Sequence, residues 1–257
     1  MLFKQWNRFP NDIVACTSTR AGGVSGGVYQ SLNLALHVGD QLEAVSENRE
    51  RFRKALNLKS SQIVFTFQNH GVDMLEATKD DGGKGYADLE DGLKADGLYT
   101  KEKNLAVAIQ HADCVPIFFY IPKKRIVGII HAGFPGTLKS ATKVMLTELM
   151  KKEKVAPQDI YCNIGPALTF SHKLITLETR AEIASSGESF HFALKAVGDE
   201  NYFDTPLMNF IQLRELGIPV DQIDYGGECV YEHSDKYFSV ARDGSKSGRM
   251  ISLIYQK

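Results

Sequence analysis

The pattern of apolar and polar positions predicts many strand-like runs along the chain and a smaller number of helices. The strand-like runs are rich in β-branched and aromatic residues and are bounded by turn residues, which is typical of β-strands. They lie at 63–67, 105–110, 116–121, 125–132, 160–164, 237–242 and 249–255. The sequence Pro-Lys-Lys at 122–124 separates two of these runs and predicts a hairpin turn.

Helical spacing is clearest in 41–57, where apolar residues fall on one face of a helix. These residues are Leu42, Val45, Phe52 and Leu56. Asp40 is the expected N-cap, and Glu43 three residues later completes a start similar to a capping box. The pattern predicts an amphipathic helix over this segment.

Three further helices are expected, at about 138–152, at about 177–185 and after Asp204. The last has Pro206 in its first turn and Gly217 at its end. Neighbouring strand runs with helices between only some of them argue for an α+β fold with a mixed sheet.

Neither an internal repeat nor a low-complexity linker divides the chain, so we expect one domain over residues 1–257. The most loop-like stretch is the Gly- and Asp-rich segment 79–92, which we interpret as an exposed excursion or a lid over a site.

Composition narrows the class of protein. The apolar content of 43% and the charged content of 24% are ordinary for a globular protein, and a net charge of −1 favours neither nucleic acid nor an anionic membrane as partner. The N-terminus has no apolar signal core, and no apolar run approaches the roughly 20 residues that a membrane helix needs. The 4 cysteines show no tight spacing, so we expect a cytoplasmic protein with reduced thiols.

Three residues carry the clearest chemical signal, and each follows an apolar run. His70 lies in QNHG (68–71), Cys114 in HADC (111–114) and His131 in HAG (131–133). Two imidazoles and one thiolate suit zinc, and three protein ligands leave a fourth position open for water or substrate. The set therefore predicts a catalytic zinc site rather than a structural one.

The residues themselves leave other interpretations open. Wide sequence separation is a weak metal signal, and most cysteines of this kind are simply buried. Cys114 could also be a nucleophile with His131 as its base, as in a cysteine hydrolase. A tightly bound metal would oppose that hypothesis, because a coordinated thiolate is not a free nucleophile.

Several other segments are weaker candidates. A Gly-rich stretch at 17–34 holds Arg20 and could bind phosphate, although such clusters are also common in tight turns. Arg49 lies on the polar face of the first helix, where a solvated role is the default. His37 and His111 are candidates for supporting positions around the metal.

Taken in order, the motifs resemble the YfiH/DUF152 family, also called the laccase-domain or polyphenol oxidase family. They read TRAGGVS, SLNLALHVGD, ENR, QNHG, ADGLYT, ADCVP, HAG, IGP, RDG and SGRM, and they span residues 17 to 250. Each motif is weak alone, but the ordered series is specific. The resemblance implies a single α+β domain, with a mixed β-sheet sandwich flanked by helices.

The resemblance also implies an activity and a set of site residues. Zn²⁺ would be held by His70, Cys114 and His131 in a purine nucleoside phosphorylase with adenosine deaminase activity. Candidate substrates are phosphate together with adenosine, inosine, guanosine or methylthioadenosine, and the protein would be a monomer or a homodimer. Arg49 gains a catalytic role from this resemblance. The candidate substrate-binding residues are Arg20, Asn33, Gln68 and Asp113. Among the candidate phosphate contacts are Arg20, Arg49 and the backbone amides of 22–27. Asp113 is also a candidate general acid or base.

Two departures from the family pattern stand out. The usual Trp-Arg-Gly after HAG is replaced by Phe134, Pro135 and Gly136, which removes a plausible anion contact. The cysteine that commonly follows IGP is replaced by Ala167. We expect substrate range or rate to differ while the metal triad survives.

Other functions remain as alternatives. A hydrolase that edits peptidoglycan precursors could use the same zinc site. A Cu²⁺ polyphenol oxidase needs several coppers and many histidines, and 7 histidines without an HxH pair argue against it. A module with structural zinc would need a fourth ligand, and none is evident.

Overall fold

The computed structural model describes residues 2–6 and 9–257, and in it two mixed sheets lie face to face. The first sheet has the strand order β1-β2-β14-β6-β3. Its strands are β1 (Phe3–Gln5), β2 (Ile13–Ser18), β3 (Ile63–Phe65), β6 (Ala106–His111) and β14 (Met250–Gln256). All neighbours are antiparallel except β3 and β6, which run parallel.

The second large sheet has the order β13-β9-β7-β8-β5-β4. Its strands are β4 (Met74–Glu76), β5 (Gly97–Thr100), β7 (Val115–Ile121), β8 (Ile126–Ala132), β9 (Tyr161–Ile164) and β13 (Ile223–Tyr225). A small antiparallel sheet, ordered β10-β12-β11, consists of β10 (Leu174–Ile175), β11 (Leu194–Val197) and β12 (Glu200–Phe203).

The helices are α1 (Leu42–Ala55), α2 (Phe134–Leu138), α3 (Ala141–Glu153), α4 (Leu177–Ser185), α5 (Thr205–Glu215) and α6 (Val240–Asp243). Of these, α1, α3 and α5 cover outer faces of the two large sheets. Helix α1 packs Phe52 with β2, β6 and β14, and α3 and α5 pack Met145 and Leu213 with β7, β8 and β9.

Alternation along the strands explains the layers. In β7, Phe118 points into the core between the two large sheets, whereas Ile117 and Phe119 join the core beneath α3 and α5. In β6, Val107 faces the core between the sheets and Ala108 faces α1. Since side chains of a strand alternate between its two faces, both sheets are buried on both sides, and their strands read as continuous apolar runs.

Most predicted elements are confirmed, and with them the α+β class and the sandwich. Six of the seven strand runs contain a strand, and the hairpin at 122–124 joins β7 to β8 with Arg125 in a left-handed conformation (φ 52°). The helix expected at 138–152 is interrupted, because Ser140 is left-handed (φ 57°) and separates α2 from α3.

Two local predictions are wrong. The strand expected at 237–242 is the short helix α6, which Ser239 caps by accepting a hydrogen bond from the amide of Arg242. Asp40 does not cap α1, whose N-cap is Gln41. The carboxylate of Asp40 instead accepts hydrogen bonds from the side chains of Ser25 and Asn33, which are partners brought from elsewhere in the chain.

Within the described ranges, none of the helices has the length and apolar character needed to cross a membrane.

Candidate metal centre

The candidate ligands lie where the chain passes between the two large sheets. The segment 112–114 leads from β6 in one sheet to β7 in the other, and the segment 66–73 leads from β3 to β4 in the same direction. His131 is in β8 and pairs with Pro116 of β7, which is two residues after Cys114. The crossings therefore bring three distant sequence segments to one end of the sandwich.

The donor atoms of His70, Cys114 and His131 all lie within 4.8 Å of one another. The two imidazole rings are 4.9 Å apart between centroids and are inclined by 55°. His131 is buried, while Cys114 is partly exposed. The structure thus assembles the predicted triad, with one side open.

Asp96 connects two of the three ligands. Its buried carboxylate accepts hydrogen bonds from the backbone amides of Asn69 (3.1 Å), His70 (3.0 Å) and Gly71 (2.7 Å). The same carboxylate bonds Nδ1 of His131 at 2.8 Å. This contact leaves Nε2 of His131 as the nitrogen available to a metal. A carboxylate on the other ring nitrogen is usual for a metal-binding histidine.

The surroundings set the protonation of the site. Burial lowers the pKa of His131, but the Cys114 thiolate and the Asp96 carboxylate outweigh it and raise the pKa to about 9. Burial, together with the charge on His131, lowers the pKa of His70. The two pKa shifts are opposite in direction, so His131 holds its proton more firmly than an ordinary imidazole and His70 holds its proton less firmly.

The local chemistry fits a zinc ion. Nδ1 of His70 is buried and has no hydrogen-bond partner in the described part of the chain, although buried ring nitrogens usually find one. A Cβ placed on Gly133 would lie 2.3 Å from this nitrogen and 3.1 Å from Sγ of Cys114, so any other residue there would occupy the space among the ligands. Two nitrogens and one sulfur are a donor set that Zn²⁺ prefers.

A cavity of about 880 Å³ opens onto the triad. Its lining comprises Leu36, His37, Leu42, Phe67, Gln68, His70, Ala87, Asp88, Leu89, Glu90, Gln110, His111, Ala112, Asp113, Cys114, His131, Val240 and Arg249. The size suits a small molecule, and apolar residues with a few polar groups are the usual lining of such sites.

The comparisons with known proteins agree with this architecture. Residues 14–257 match a family described as multi-copper polyphenol oxidoreductase laccase. The chain belongs to this family. It is the laccase-domain, or YfiH/DUF152, family that the sequence motifs resemble.

Individual relatives cover nearly the whole chain. The Bacillus subtilis (strain 168) protein named purine nucleoside phosphorylase YlmD is 35% identical over 98% of this chain and 92% of its own length. The crystal structure of the Bacillus licheniformis hypothetical protein YfiH matches with a TM-score of 0.91 at 33% identity, covering 96% and 94% of the two chains. That of YlmD from Geobacillus stearothermophilus matches with a TM-score of 0.90 at 31% identity, covering 100% and 99%.

Two of the predicted substrate-binding residues of this laccase-domain protein line the cavity. The amide of Gln68 is held by the backbone of Gln110 at 2.8 Å in both directions. The carboxylate of Asp113 bonds Oγ of Ser239 at 2.6 Å and the amide of Ala241 at 2.8 Å. Both side chains are already engaged, so they hold the cavity wall in shape.

The other two predicted substrate-binding residues, Arg20 and Asn33, do not line the cavity. Arg20 donates to the carbonyls of Gln30 and Ser234, and Asn33 donates to Asp40. Both side chains are engaged within the protein, and their contact with substrate stays a prediction.

Arg49 is buried and does not line the cavity. Its guanidinium donates to the carbonyls of Leu34, Gly85 and Tyr86 and lies over the ring of Phe65. A buried cation is stable only when it is well hydrogen-bonded, and here it holds the segment that leads to residues 87–90 of the cavity wall. Its catalytic role stays a prediction.

The sequence alone assigned no site role to two residues of the site. Asp96 lies in the ADGLYT motif, and Arg249 lies in SGRM beyond the RDG turn, where a structural role is the default interpretation. Arg249 is the one lysine or arginine among the cavity-lining residues of the described chain, and His37 and His111 line the cavity as expected of supporting residues.

The segment 79–92 contributes Ala87, Asp88, Leu89 and Glu90 to the cavity wall. Its position therefore suits the predicted lid, and its motion stays a prediction.

Phe134 and Pro135, directly after Gly133, stand where the family usually has tryptophan and arginine. The ammonium of Lys173 lies 4.2 Å from the centroid of the Phe134 ring. A cation over an aromatic face is favourable, so positive charge is retained near this position although the arginine is missing.

The first prediction concerns Asp96. Replacing Asp96→Asn removes the charge that orients His131, and loss of such a partner typically weakens metal binding by about 10- to 100-fold. Competition with a zinc chelator measures the change. The exposed Asp12→Asn should bind zinc as the wild type does, and an unchanged affinity in Asp96→Asn would contradict the role of Asp96.

The second prediction concerns pH. Because the folded-state pKa of His131 is raised from 6.5 to about 9, zinc must displace its proton throughout that range. Zinc affinity should therefore rise with pH up to about pH 9, because zinc must displace the His131 proton below that pH. Chelator competition at several pH values, corrected for the chelator, tests this, and a flat affinity across the range would refute it.

Proposed function

We propose that this protein is a zinc-dependent purine nucleoside phosphorylase that also deaminates adenosine. The observation that carries the proposal is an open His-Cys-His centre at the wall of a cavity of about 880 Å³. The Bacillus subtilis relative named purine nucleoside phosphorylase YlmD supports the phosphorylase part.

His70, Cys114 and His131 would hold the zinc. When bound, zinc supplies Lewis-acid chemistry at its fourth coordination position. Zinc rather than Cu²⁺ is favoured because neither potential metal-binding group within the described ranges contains more than two imidazoles. Reduction of dioxygen by several coppers needs many more.

The cavity offers groups that suit a purine. Oε1 of Gln110 is buried and has no hydrogen-bond partner among the residues described, so it can accept a bond from a purine N–H or amino group. Burial lowers the pKa of His37, and the nearby Arg249 adds to this effect. His37 is then a neutral imidazole that can donate or accept. Leu36, Leu89 and Phe67 supply apolar surface for the flat ring.

Arg249 is the proposed phosphate contact. Arg249 lines the cavity, and Asp113 and Cys114 interact with its charge. Its Nη1 and Nη2 also donate to the carbonyls of Ser247, Gly248 and Ser245, which hold the side chain in place. In phosphorolysis a phosphate oxygen attacks C1′ of the ribose, the C1′–N9 bond breaks, and the purine leaves with the bonding electrons. Arg249 would hold the phosphate dianion for that attack, because its forked donors match phosphate oxygens.

Asp113 is the proposed proton-handling group for deamination. Burial raises its pKa, and hydrogen bonds from Ser239 and the amides of Ala241 and Val240 oppose that rise. Asp113 lines the same cavity as the metal ligands, and a carboxyl with a raised pKa there can donate a proton to the departing ammonia.

Product analysis by mass spectrometry tests the proposal. Zinc-loaded protein is incubated with adenosine, with and without phosphate. We expect adenine and ribose 1-phosphate only when phosphate is present, and inosine in either buffer. His131→Ala should abolish both products, whereas the exposed His191→Ala should retain them.

Absence of turnover in zinc-loaded wild type would contradict the nucleoside activity. Turnover of peptidoglycan fragments by the same protein would then favour the hydrolase alternative. Adenine without inosine would leave a phosphorylase and remove the deaminase part.

Arg249→Gln tests the phosphate contact separately. Loss of a charge-assisted hydrogen bond costs about 1.5–3 kcal/mol, so the KM for phosphate should rise by roughly 10- to 100-fold. The KM for nucleoside should change little. Arg249→Lys keeps the charge, so its KM for phosphate should rise less. The exposed Arg51→Gln serves as the control. An unchanged KM for phosphate in Arg249→Gln would contradict the assignment.

A further inference from the structure

A second cluster of metal-binding side chains lies outside the cavity. The donor atoms of His172, Cys229 and Glu232 are all within 4.8 Å of one another, the same limit that the catalytic triad meets. With bond lengths of about 2.0–2.3 Å, the ligands of a tetrahedral zinc site are roughly 3.5 Å apart. Small side-chain movements would therefore close the cluster around an ion.

The backbone holds the cysteine in place. Cys229 forms a bridge with Ala167, and the amide of Val230 donates to the carbonyl of Ala167 at 3.1 Å. The amide of His233 donates to the carbonyl of Cys229 at 3.1 Å. Cys229 is buried and free, and the residue across the bridge is alanine, so no thiol stands there to form a disulfide with it.

The histidine is oriented by its neighbours. Its ring stacks on that of Tyr231, with centroids 3.9 Å apart and planes inclined by only 10°. Nε2 of His172 lies 3.2 Å from a carboxylate oxygen of Glu232, close to the spacing of two ligands on one ion. Glu232 is exposed, so the cluster is open to solvent and an ion can enter without a change of fold.

We propose that His172, Cys229 and Glu232 form a second, solvent-accessible site for a zinc-like divalent cation. One nitrogen, one sulfur and one carboxylate oxygen suit Zn²⁺, and water completes the coordination. The site differs from the catalytic centre in its exposure and in having a carboxylate ligand.

The second site adjoins the first through one short segment. The amide of Leu168 donates to the carbonyl of Asp113 at 2.9 Å, and Lys173 follows His172 and lies over Phe134. The segment 167–173 therefore links the proposed site to Asp113, the residue before Cys114.

Cobalt(II) titration of the metal-free protein tests the proposal, because cobalt bound to thiolate has a charge-transfer absorption. We expect two equivalents with thiolate absorption in the wild type. Cys229→Ser, His172→Gln and Glu232→Gln should each lose one equivalent and keep the other. His191→Gln should keep both.

Folding of each variant is checked by circular dichroism. Because His172 and Glu232 lie toward the surface, their variants answer the question even if Cys229→Ser fails to fold. Saturation of the wild type at one equivalent would overturn the proposal, as would a second equivalent that persists in His172→Gln and Glu232→Gln. Neither result depends on nucleoside activity.

Discussion

The buried carboxylate of Asp96 is the contact on which the metal centre depends. A carboxylate excluded from water is stable only when its oxygens are fully hydrogen-bonded, and here three successive amides and one imidazole satisfy it. Those amides belong to the loop that carries His70, and the imidazole is His131. One side chain thus ties a loop from one crossing to a strand of the second sheet, and it sets the separation of the two histidines.

The sandwich fold brings together the ligand-bearing segments that Asp96 then holds in place. Because the chain crosses between the sheets at 66–73 and 112–114, ligands far apart in sequence meet at one end of the fold. This convergence requires a left-handed backbone at His70 (φ 57°) and a glycine at position 133, where a Cβ would lie too close to the ring of His70. Strain and close backbone approach at one place are typical of functional sites, and here they surround the space that an ion would fill.

Local sequence patterns predicted most of the elements and singled out the three residues that the fold brings together, for a physical reason. Apolar runs form strands wherever both faces are buried, and His70, Cys114 and His131 lie at or beyond the ends of such strands. The failures involve polar residues with distant partners. Asp40 binds Ser25 and Asn33 instead of capping a helix, Ser239 turns a strand-like run into a helix, and the guanidinium of Arg49 is buried against backbone carbonyls. Asp96 escaped notice because its role depends on four partners that only the folded chain assembles.

A crystal structure of the zinc-loaded protein, with anomalous data at the zinc edge, would show directly whether the three residues form an open zinc centre. We expect an anomalous peak within bonding distance of His70, Cys114 and His131, with the remaining coordination position facing the cavity that Arg249 and His37 line. A peak at that centre closed by a fourth protein ligand, or no peak there after zinc loading, would contradict this expectation.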